Sequence, residues 1–326
     1  MRVMTVTSAA SSEHFEEQEL ADPTPGPGEV LIAVAAAGVN RADIYQRKGH
    51  YSSPTGAPQW PGLEVSGTIE ALGDGVTGLS IGDRVCALLG GGGYATKAIA
   101  VATHVLPVPE NVDLIDAAAL PEALATVWSN LVMTARLAAG ETLLVHGGSS
   151  GIGTMAIQVA RELGARVAVT ASSQRKLDAC RELGADILID YPTQDFVTEI
   201  NRATDGRGAD VILDAIGGEY LERDLACLAP HGRIVFIGTQ GGERHGTLDL
   251  SRLMARWGSV HGALLRARSD AEKTDIIAQV RDHAWPLVAT ARIRPVVDER
   301  FALTDVATAH AVMEASSHIG KLVLIA

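Results

Sequence analysis

Three closely spaced glycines in the middle of the chain, Gly148, Gly151 and Gly153, follow a predicted strand at 141–146 and precede a helical pattern that ends at Gly164. Such glycines remove side chains where a backbone turns sharply, approaches a pyrophosphate and packs a helix against a strand. The helix start offers free N–H groups to an anion, so the segment predicts a dinucleotide site. The alternative is a glycine-rich connection that binds nothing. The loop residues predicted to contact the cofactor are Gly148, Ser150, Gly151, Ile152 and Gly153.

The elements that would position this loop continue along the chain as alternating apolar strands and helices. This alternation is typical of a parallel sheet covered by helices on both faces. The sequence Arg-Glu-Leu-Gly-Ala occurs twice, at 161–165 and 181–185. In both places it ends a predicted helix, which the glycine stops before the next strand. The further predicted strands are 166–171, 187–190, 210–216 and 233–238, and the helices between them are 173–183 and 220–228.

The end of the second strand bears on the choice between NADH and NADPH. An NAD-selective site usually has Asp or Glu about 20 residues beyond the glycine turn, where it holds the ribose hydroxyls. Ser172, Arg175 and Lys176 occupy this region instead. Their hydroxyl and cations suit a 2′-phosphate, so we predict NADPH. In the alternative interpretation Ser172 or Ser173 caps the next helix and the cations are solvated, which does not exclude phosphate binding.

The chain has 326 residues, more than one hydrophobic core usually serves, so two domains are expected. Residues 1–122 are rich in glycine and proline and contain short alternating runs, which favour antiparallel β structure. Residues 123–266 form the predicted nucleotide domain. Residues 267–326 end in a strand-like segment, 321–326, that is expected to rejoin the first domain.

Composition excludes several function classes. The net charge is −12 and no dense basic run offsets it, which argues against a nucleic-acid or anionic-membrane surface. The N-terminal region is rich in glutamate and no apolar run is long enough to span a bilayer, so a cytoplasmic protein is expected. Cys86, Cys180 and Cys227 are isolated from one another, which indicates packing residues rather than a disulfide framework or a Cys-x-x-Cys zinc site.

Five short motifs point to a known family. They are Ala-Gly-Val-Asn-Arg-Ala-Asp at 37–43, Gly-Leu-Glu-Val-Ser-Gly at 62–67, Gly-Asp-Arg-Val at 82–85, Gly-Gly-Gly-Tyr-Ala at 91–95 and Ile-Gly-Lys at 319–321. With them the chain resembles the medium-chain dehydrogenase/reductase superfamily over essentially its whole length, and within it the zeta-crystallin-like quinone oxidoreductases. The resemblance implies an α/β protein in which a GroES-like antiparallel β catalytic domain is interrupted by a Rossmann domain with a doubly wound parallel sheet.

The resemblance also bears on metal use. Zinc-dependent members of the superfamily have a cysteine and a histidine where this chain has Asn40 and Leu63, and neither replacement is a credible zinc ligand. The cysteine cluster of a structural zinc lobe is missing as well. The resemblance therefore implies a zinc-free enzyme. It departs from the quinone oxidoreductase pattern at Ser150, where that branch commonly has glycine.

The same resemblance implies the site residues. Asn40, Asp43 and Tyr51 would form the catalytic set, Tyr45 would touch the nicotinamide end of the cofactor, and Tyr51 would donate to the substrate oxygen. Alternatively Asn40 pins a loop, Asp43 caps a helix and Tyr51 is a loop aromatic. Lys321 is either a cofactor contact or a solvated edge residue. The further implied cofactor contacts are Thr126, Tyr191, Gly217, Ile237, Gly238, Leu264, Leu265, Arg266 and Lys321.

The leading hypothesis is an NADPH-dependent reductase that passes hydride directly to a quinone or an activated enone. These acceptors take hydride without the Lewis acid that alcohol oxidation needs. One alternative is a 2-enoyl thioester reductase of the same superfamily, which would also use a tyrosine donor. Another is a cofactor-binding protein with little turnover. A homodimer is expected from the family alone.

Overall fold

The computed structural model describes residues 1–9 and 12–326, and the chain divides into two compact units. The first unit comprises Met1–Ala125 and Arg266–Ala326, and the second comprises Thr126–Leu265. The first contains a seven-stranded and a two-stranded sheet, and the second contains a six-stranded sheet. Within the described part of the chain, no helix combines the length and hydropathy that a membrane span requires.

Strands are the main regular elements in the N-terminal part of the first unit. Strand β3 pairs antiparallel with both β4 and β6, as the alternating pattern predicts. The elements are β1 (Arg2–Ala9), β2 (Ser12–Glu19), β3 (Glu29–Val39), α1 (Arg41–Arg47), β4 (Glu64–Leu72), β5 (Arg84–Leu88), β6 (Lys97–Val101) and β7 (Val105–Pro107), followed by α2 (Pro121–Val127), which extends into the second unit.

The second unit alternates strands and helices. They are β8 (Thr142–His146), α3 (Gly151–Glu162), β9 (Arg166–Ala171), α4 (Gln174–Leu183), β10 (Ile187–Asp190), α5 (Phe196–Ala203), β11 (Ala209–Asp214), α6 (Gly218–Ala226), β12 (Leu228–Phe236), α7 (Leu250–Ala255) and β13 (Ser259–Gly262). All its strand pairs are parallel, in the order β10-β9-β8-β11-β12-β13. The first strand of this unit, β8, therefore lies in the middle of the sheet. Strands β9 and β10 are added on one side of it, and β11, β12 and β13 on the other, which confirms the doubly wound class.

Burial explains why the central strands are apolar along their whole length. Every residue of β8 and of β11 is buried, as expected when helices cover both faces of a parallel sheet. Helix α3 is followed by Gly164 at φ +78°, and α4 ends at Gly184 at φ +108°. Glycine adopts this left-handed conformation without strain, so both helices stop where the sequence predicts.

The C-terminal segment returns to the first unit, and helices make up much of it. Its elements are α8 (Asp270–Gln279), α9 (Trp285–Ala289), β14 (Val297–Ala302), α10 (Val306–Glu314) and β15 (Lys321–Ile325). Strand β15 pairs antiparallel with β3 and parallel with β14, so the tail is part of the seven-stranded sheet. The core of this unit includes Val30, Ile32, Val65 and Leu322, all fully buried.

Two predicted strands extend too far. The strand predicted at 210–216 ends at Asp214, because the side chain of Asp214 accepts the backbone N–H of Gly217 (3.1 Å) and turns the chain. The strand predicted at 233–238 ends at Phe236, where its pairing with β13 ends. It begins earlier, at Leu228, so the helix predicted at 220–228 lies two residues earlier in the chain, at Gly218–Ala226.

Candidate functional site

The glycine-rich turn between β8 and α3 forms a backbone cradle at the end of a buried strand. Gly147 lies at φ +75°, in the left-handed region. The hydroxyl of Ser150 accepts a hydrogen bond from the N–H of Gly153 (3.0 Å) and so begins α3, whose first residues are Gly151 and Ile152. The N-terminus of a twelve-residue helix therefore lies directly after this turn, in the arrangement that binds phosphate groups.

Two of these glycines are enforced by close packing. A Cβ on Gly153 would lie 2.4 Å from the carbonyl oxygen of Gly147, so the helix could not sit against its own turn. A Cβ on Gly148 would lie 2.5 Å from Cβ of Val169 in β9. Gly147, which was not among the predicted glycines, makes the sharp turn, and Gly148 lets the turn pack on the neighbouring strand. The two consecutive glycines at 147–148 are the sequence feature that could have predicted Gly147 as the turn residue.

Most predicted cofactor contacts of the second unit lie where its strands end. Because all six strands are parallel, these positions share one edge of the sheet, where ligands bind in doubly wound folds. We call this the carboxyl edge. Tyr191 and Leu264 are 46% and 56% exposed there. The residues concerned are the glycine-rich turn after β8, Ser172, Arg175 and Lys176 after β9, Tyr191 after β10, Gly217 after β11, Ile237 and Gly238 after β12, and Leu264 and Leu265 after β13.

The segment after β9 contains the predicted phosphate-binding side chains. Ser173 occupies the N-cap position of α4 without a side-chain capping hydrogen bond. The ammonium group of Lys176 lies 3.4 Å from the hydroxyl of Ser172, and Arg175 is exposed. Two cations and a hydroxyl thus stand together at the carboxyl edge, and the stretch 171–176 contains no carboxylate that would repel a phosphate.

Thr126 lies in α2 rather than at a strand end, and it is buried. Its backbone oxygen accepts hydrogen bonds from the side chains of Asn130 (2.8 Å) and Ser129 (3.1 Å). These bonds lie within one helical segment and do not involve the side chain of Thr126, so its predicted contact with a cofactor stays a prediction.

In the first unit, Asp43 is fully buried. Its carboxylate accepts hydrogen bonds from the N–H groups of Asn40 (2.8 Å) and Gly62 (3.0 Å) and from the hydroxyl of Tyr94 (3.1 Å), which also contacts His310 (3.0 Å). Burial raises the pKa of Asp43 to about 6, although these donors oppose the rise. With no exposed surface, Asp43 does not line a cleft; it caps α1, the alternative that the sequence left open.

Asn40 and Lys321 belong to a second buried group. The ammonium of Lys321 donates to the backbone oxygen of Val39 (2.9 Å) and to the side chains of Asn40 (2.5 Å) and Glu64 (2.6 Å). These acceptors use all three of its N–H donors. The Asn40 amide also donates to Glu64 (3.0 Å). Lys321 is therefore neither a solvated edge residue nor free to donate to a phosphate. Glu64, which is fully buried, is the partner that the sequence did not reveal.

Tyr51 and Arg266 are the remaining predicted site residues, and both belong to the first unit, although Arg266 was expected to end the nucleotide domain. The guanidinium carbon of Arg266 lies 5.1 Å from the centre of the Tyr51 ring. Arg266 donates to the backbone oxygen of Gly90 (2.8 Å) and the hydroxyl of Ser53 (3.2 Å), while its Nη1 is buried without a hydrogen-bond partner among the described residues. Burial raises the pKa of Tyr51, so its phenol stays protonated at neutral pH. Tyr45, in α1, is half-buried.

Possible metal ligands are scattered. Across residues 1–9 and 12–326, no group of three or more His, Cys, Asp or Glu side chains could hold a metal ion. Asn40, at one of the two family ligand positions, has its amide engaged by Glu64 and Lys321. Leu63, at the other position, is buried and apolar.

Two protein families match the chain. Residues 26–110 match the alcohol dehydrogenase GroES-like domain, and residues 151–279 match the zinc-binding dehydrogenase family. Quinone oxidoreductase of Rattus norvegicus is 31% identical over 331 residues, covering 100% of this chain and 98% of that protein. Other relatives are much longer: this chain spans only 14% of the phthioceranic/hydroxyphthioceranic acid synthase of Mycobacterium tuberculosis, to which it is 33% identical over 303 residues, or 92% of its own length.

Solved structures show the same fold. The mycobacterial protein Rv1454c complexed with NADPH is 29% identical, with a TM-score of 0.88 over 100% of both chains. The CurK enoyl reductase is 27% identical, with a TM-score of 0.86 over 99% of this chain and 98% of that one. The family membership of this chain rests on its full-length similarity to the rat enzyme, on the shared fold and on the two family matches. The chain belongs to the medium-chain dehydrogenase/reductase superfamily and has quinone oxidoreductases among its relatives.

Proposed function

We propose that the protein is an NADPH-dependent reductase of quinones or activated enones. The observation that carries the proposal is the cradle at residues 147–153, in which Gly153 leaves no room for a Cβ and Ser150 begins a helix at the carboxyl edge. The rat quinone oxidoreductase and the NADPH complex of Rv1454c support both parts of the assignment.

The carboxyl edge fits a phosphorylated dinucleotide. The glycine-rich turn and the start of α3 would hold the pyrophosphate through backbone N–H groups. Ser172, Arg175 and Lys176 would hold the 2′-phosphate through charge-assisted hydrogen bonds. The exposed Tyr191 and Leu264 offer apolar contact surface at the same edge. When bound, NADPH supplies a hydride to the electrophilic carbon of the acceptor.

On the substrate side, the reaction needs donors where negative charge develops on an oxygen. Tyr51 is half-buried and lies in a loop of the first unit. Its raised pKa keeps the proton available for donation. The unpaired Nη1 of Arg266 supplies a second donor with a fixed positive charge next to the Tyr51 ring. We assign the acceptor oxygen to these two groups.

The proposed reaction does not depend on zinc. Asn40 is held between Glu64 and the ammonium of Lys321, and a cation 2.5 Å from the amide oxygen would repel a metal ion there. Asn40 and Asp43 then act as positioning residues in the first unit rather than as groups that contact the substrate.

A 2-enoyl thioester reductase is the second candidate, because the CurK enoyl reductase shares the fold over almost the whole chain. It would use the same Tyr51 donor on an enone oxygen of a thioester. A cofactor-binding protein with little turnover is the third, and it requires no substrate donor.

The test compares NADPH oxidation with ortho-quinones, para-quinones and a crotonyl thioester, in the presence and absence of a strong chelator. We expect turnover of the quinones, slower turnover of the thioester and no loss in chelator. Preferred turnover of the thioester would favour the second candidate. NADPH binding without turnover of any acceptor would favour the third candidate, the cofactor-binding protein. Loss of activity in chelator, together with the loss of one bound zinc per chain, would overturn the zinc-free assignment.

A further inference from the structure

A connected line of buried polar side chains lies in the second unit, and neither the cofactor contacts nor the substrate donors use it. His146 is the last residue of β8, Thr170 is in β9, Asp214 ends β11 and Asp224 is in α6. None of the four is more than 3% exposed. The rings of Phe196 and Tyr220 pack against His146 at 4.7 and 4.8 Å, so this group is shielded from water.

The direction of each hydrogen bond at one end follows from the donors available. The N–H of Gly147 donates to the hydroxyl of Thr170 (3.2 Å), so that hydroxyl is free to donate to Nδ1 of His146 (3.2 Å). Burial lowers the pKa of His146 to about 4, which leaves one proton on the ring at neutral pH. That proton is on Nε2, which donates to Oδ1 of Asp224 (2.9 Å).

The other end of the line reaches a second loop of the carboxyl edge. Oδ1 of Asp214 accepts the backbone N–H groups of Ile216 and Gly217, the two residues between β11 and α6 that follow Ala215. The line thus begins at the left-handed glycine of the glycine-rich turn and ends at the loop that contains Gly217. Both loops are where the proposed dinucleotide would bind.

The middle of the line is formed by the carboxyl groups of Asp214 and Asp224. Oδ2 of Asp214 and Oδ2 of Asp224 are both buried and have no hydrogen-bond partner among the described residues. Interaction between the two carboxyl groups raises the pKa of Asp214 and opposes the rise in the pKa of Asp224, as expected when one of them keeps a proton. Two carboxylates cannot bond to one another, whereas a carboxylic acid and a carboxylate can. A single proton between them would satisfy every donor and acceptor from Gly147 to Gly217.

We propose that Asp214 and Asp224 share one proton, and that the completed chain of hydrogen bonds makes them, with His146, positioning residues that hold the two dinucleotide-binding loops together. The positioning role rests on the proposed function, whereas the shared proton does not. Its physical basis is that burial of two like charges at close range favours retention of one proton.

Neighbouring charges leave that proton in place. Burial raises the pKa of Asp214 and of Asp224 to about 7, and the charge of Arg223 opposes the rise at Asp224. Arg223 is itself paired with Asp195 (2.9 Å) and stacked over Phe196 (4.1 Å). The other titratable groups facing this cluster are Tyr220, with Tyr191 beyond it, and Cys227. The Cys227 thiol donates to the backbone oxygen of Asp224 (3.6 Å), and burial together with the charge of Asp224 raises the pKa of this thiol, so it stays neutral.

The first test measures the proton without any cofactor. Asp214→Asn keeps an acceptor for the loop N–H groups and places an amide N–H where the shared proton would be. Because the shared proton is present only in the folded protein between pH about 4 and about 7, folding of the unmodified chain should weaken with rising pH relative to this variant. In urea titrations, the ratio of the two unfolding constants should change about tenfold per pH unit up to pH about 7, then stay constant.

Asp178, on α4, has a half-exposed side chain and supplies the control, since Asp178→Asn should show no such pH dependence. Asp224→Asn places an amide on the other side of the pair and should reproduce the result if Asp214→Asn folds poorly. A ratio that does not change with pH in either variant would show that no proton is shared, and would overturn the proposal.

The second test measures positioning by calorimetric titration with NADPH. At pH 6, Asp214→Asn should bind NADPH within about twofold of the unmodified protein, and Asp214→Ala about tenfold more weakly. Above pH 7 the unmodified protein should lose affinity relative to Asp214→Asn. Equal affinities of the Asn and Ala variants would overturn the positioning role. Failure of the unmodified protein to bind NADPH would instead refute the proposed function, while the urea titrations would still decide whether the proton is shared.

Discussion

The carboxyl edge of the second unit and three buried residues of the first, Asn40, Asp43 and Lys321, were both predicted as functional, and they differ in whether their polar groups are open to a ligand. At the edge, glycines and loop residues leave backbone N–H groups and exposed side chains open to a ligand. In the first unit, Asn40, Asp43, Glu64 and Lys321 direct their polar atoms at one another and at the backbone. A motif that binds through backbone N–H groups thus keeps these groups available to a ligand. Side chains of the right chemical type can instead have all their hydrogen-bonding groups occupied by neighbouring residues.

The largest effect is expected for Lys321→Met. This change leaves the carboxylate of Glu64 buried without its cation, which costs about 3–5 kcal/mol of folding stability. Urea unfolding measures the loss, and the NADPH affinity of the folded variant should stay within about twofold of the parent. Lys97 pairs with Glu70 at the surface (2.5 Å), so Lys97→Met serves as the control and should change stability little. Unchanged stability together with lost NADPH affinity would restore Lys321 as a cofactor contact.

Gly153→Ala tests the other side of the comparison. Its Cβ would lie 2.4 Å from the oxygen of Gly147, and relief of that contact must deform the turn. We expect about 1–3 kcal/mol of destabilisation and a loss of NADPH affinity of about tenfold or more. Gly262→Ala, in β13, is the matched control because its Cβ meets nothing within 4 Å. If both variants bind NADPH equally well, the cradle does not hold the dinucleotide.

These two regions also differ in how far they could be predicted. The period and spacing of residues 144–190 predict β8, α3, β9, α4 and β10 almost to the residue, because a buried parallel strand and a glycine-stopped helix have local signatures. The four-residue β13 and the helices after Arg266 have weak local patterns and form only against the rest of their unit. Gly147 could have been predicted, since it follows the strand directly.

The partners of the first-unit residues could not be predicted. Glu64 is distant in sequence from Lys321, and only the pairing of β15 with β3 and of β3 with β4 brings their segments together. The same holds for Asp224, whose hydrogen bond with His146 depends on the strand order. The homodimer and the cytoplasmic location stay predictions.

A smaller effect is expected at the 2′-phosphate position. Replacing Arg175 and Lys176 together with alanine removes two charge-assisted hydrogen bonds, so NADPH affinity should fall about tenfold or more while NADH affinity changes little. Arg181 lies on the same helix, exposed and paired with Asp178 (2.6 Å), and Arg181→Ala is the control. Equal weakening of NADPH and NADH would place these cations at the pyrophosphate instead.

The smallest effect is expected for Tyr51→Phe. Loss of one donor to the developing oxyanion should lower kcat with quinones about tenfold, less than in slower reactions because quinones are intrinsically reactive. NADPH affinity should not change. Steady-state rates of Tyr51→Phe and Tyr45→Phe, compared at saturating NADPH, check the assignment. A parent-like rate for Tyr51→Phe with a large loss for Tyr45→Phe would move the donor role to Tyr45.

The central claim is that the carboxyl edge of the second unit is an NADPH site. Calorimetric titration of the unmodified protein with NADPH and with NADH, at the same pH and ionic strength, tests it most directly. The cradle at 147–153 together with Ser172, Arg175 and Lys176 predicts that NADPH binds at least about tenfold more tightly than NADH. Equal affinities, or no binding of either dinucleotide, would contradict it.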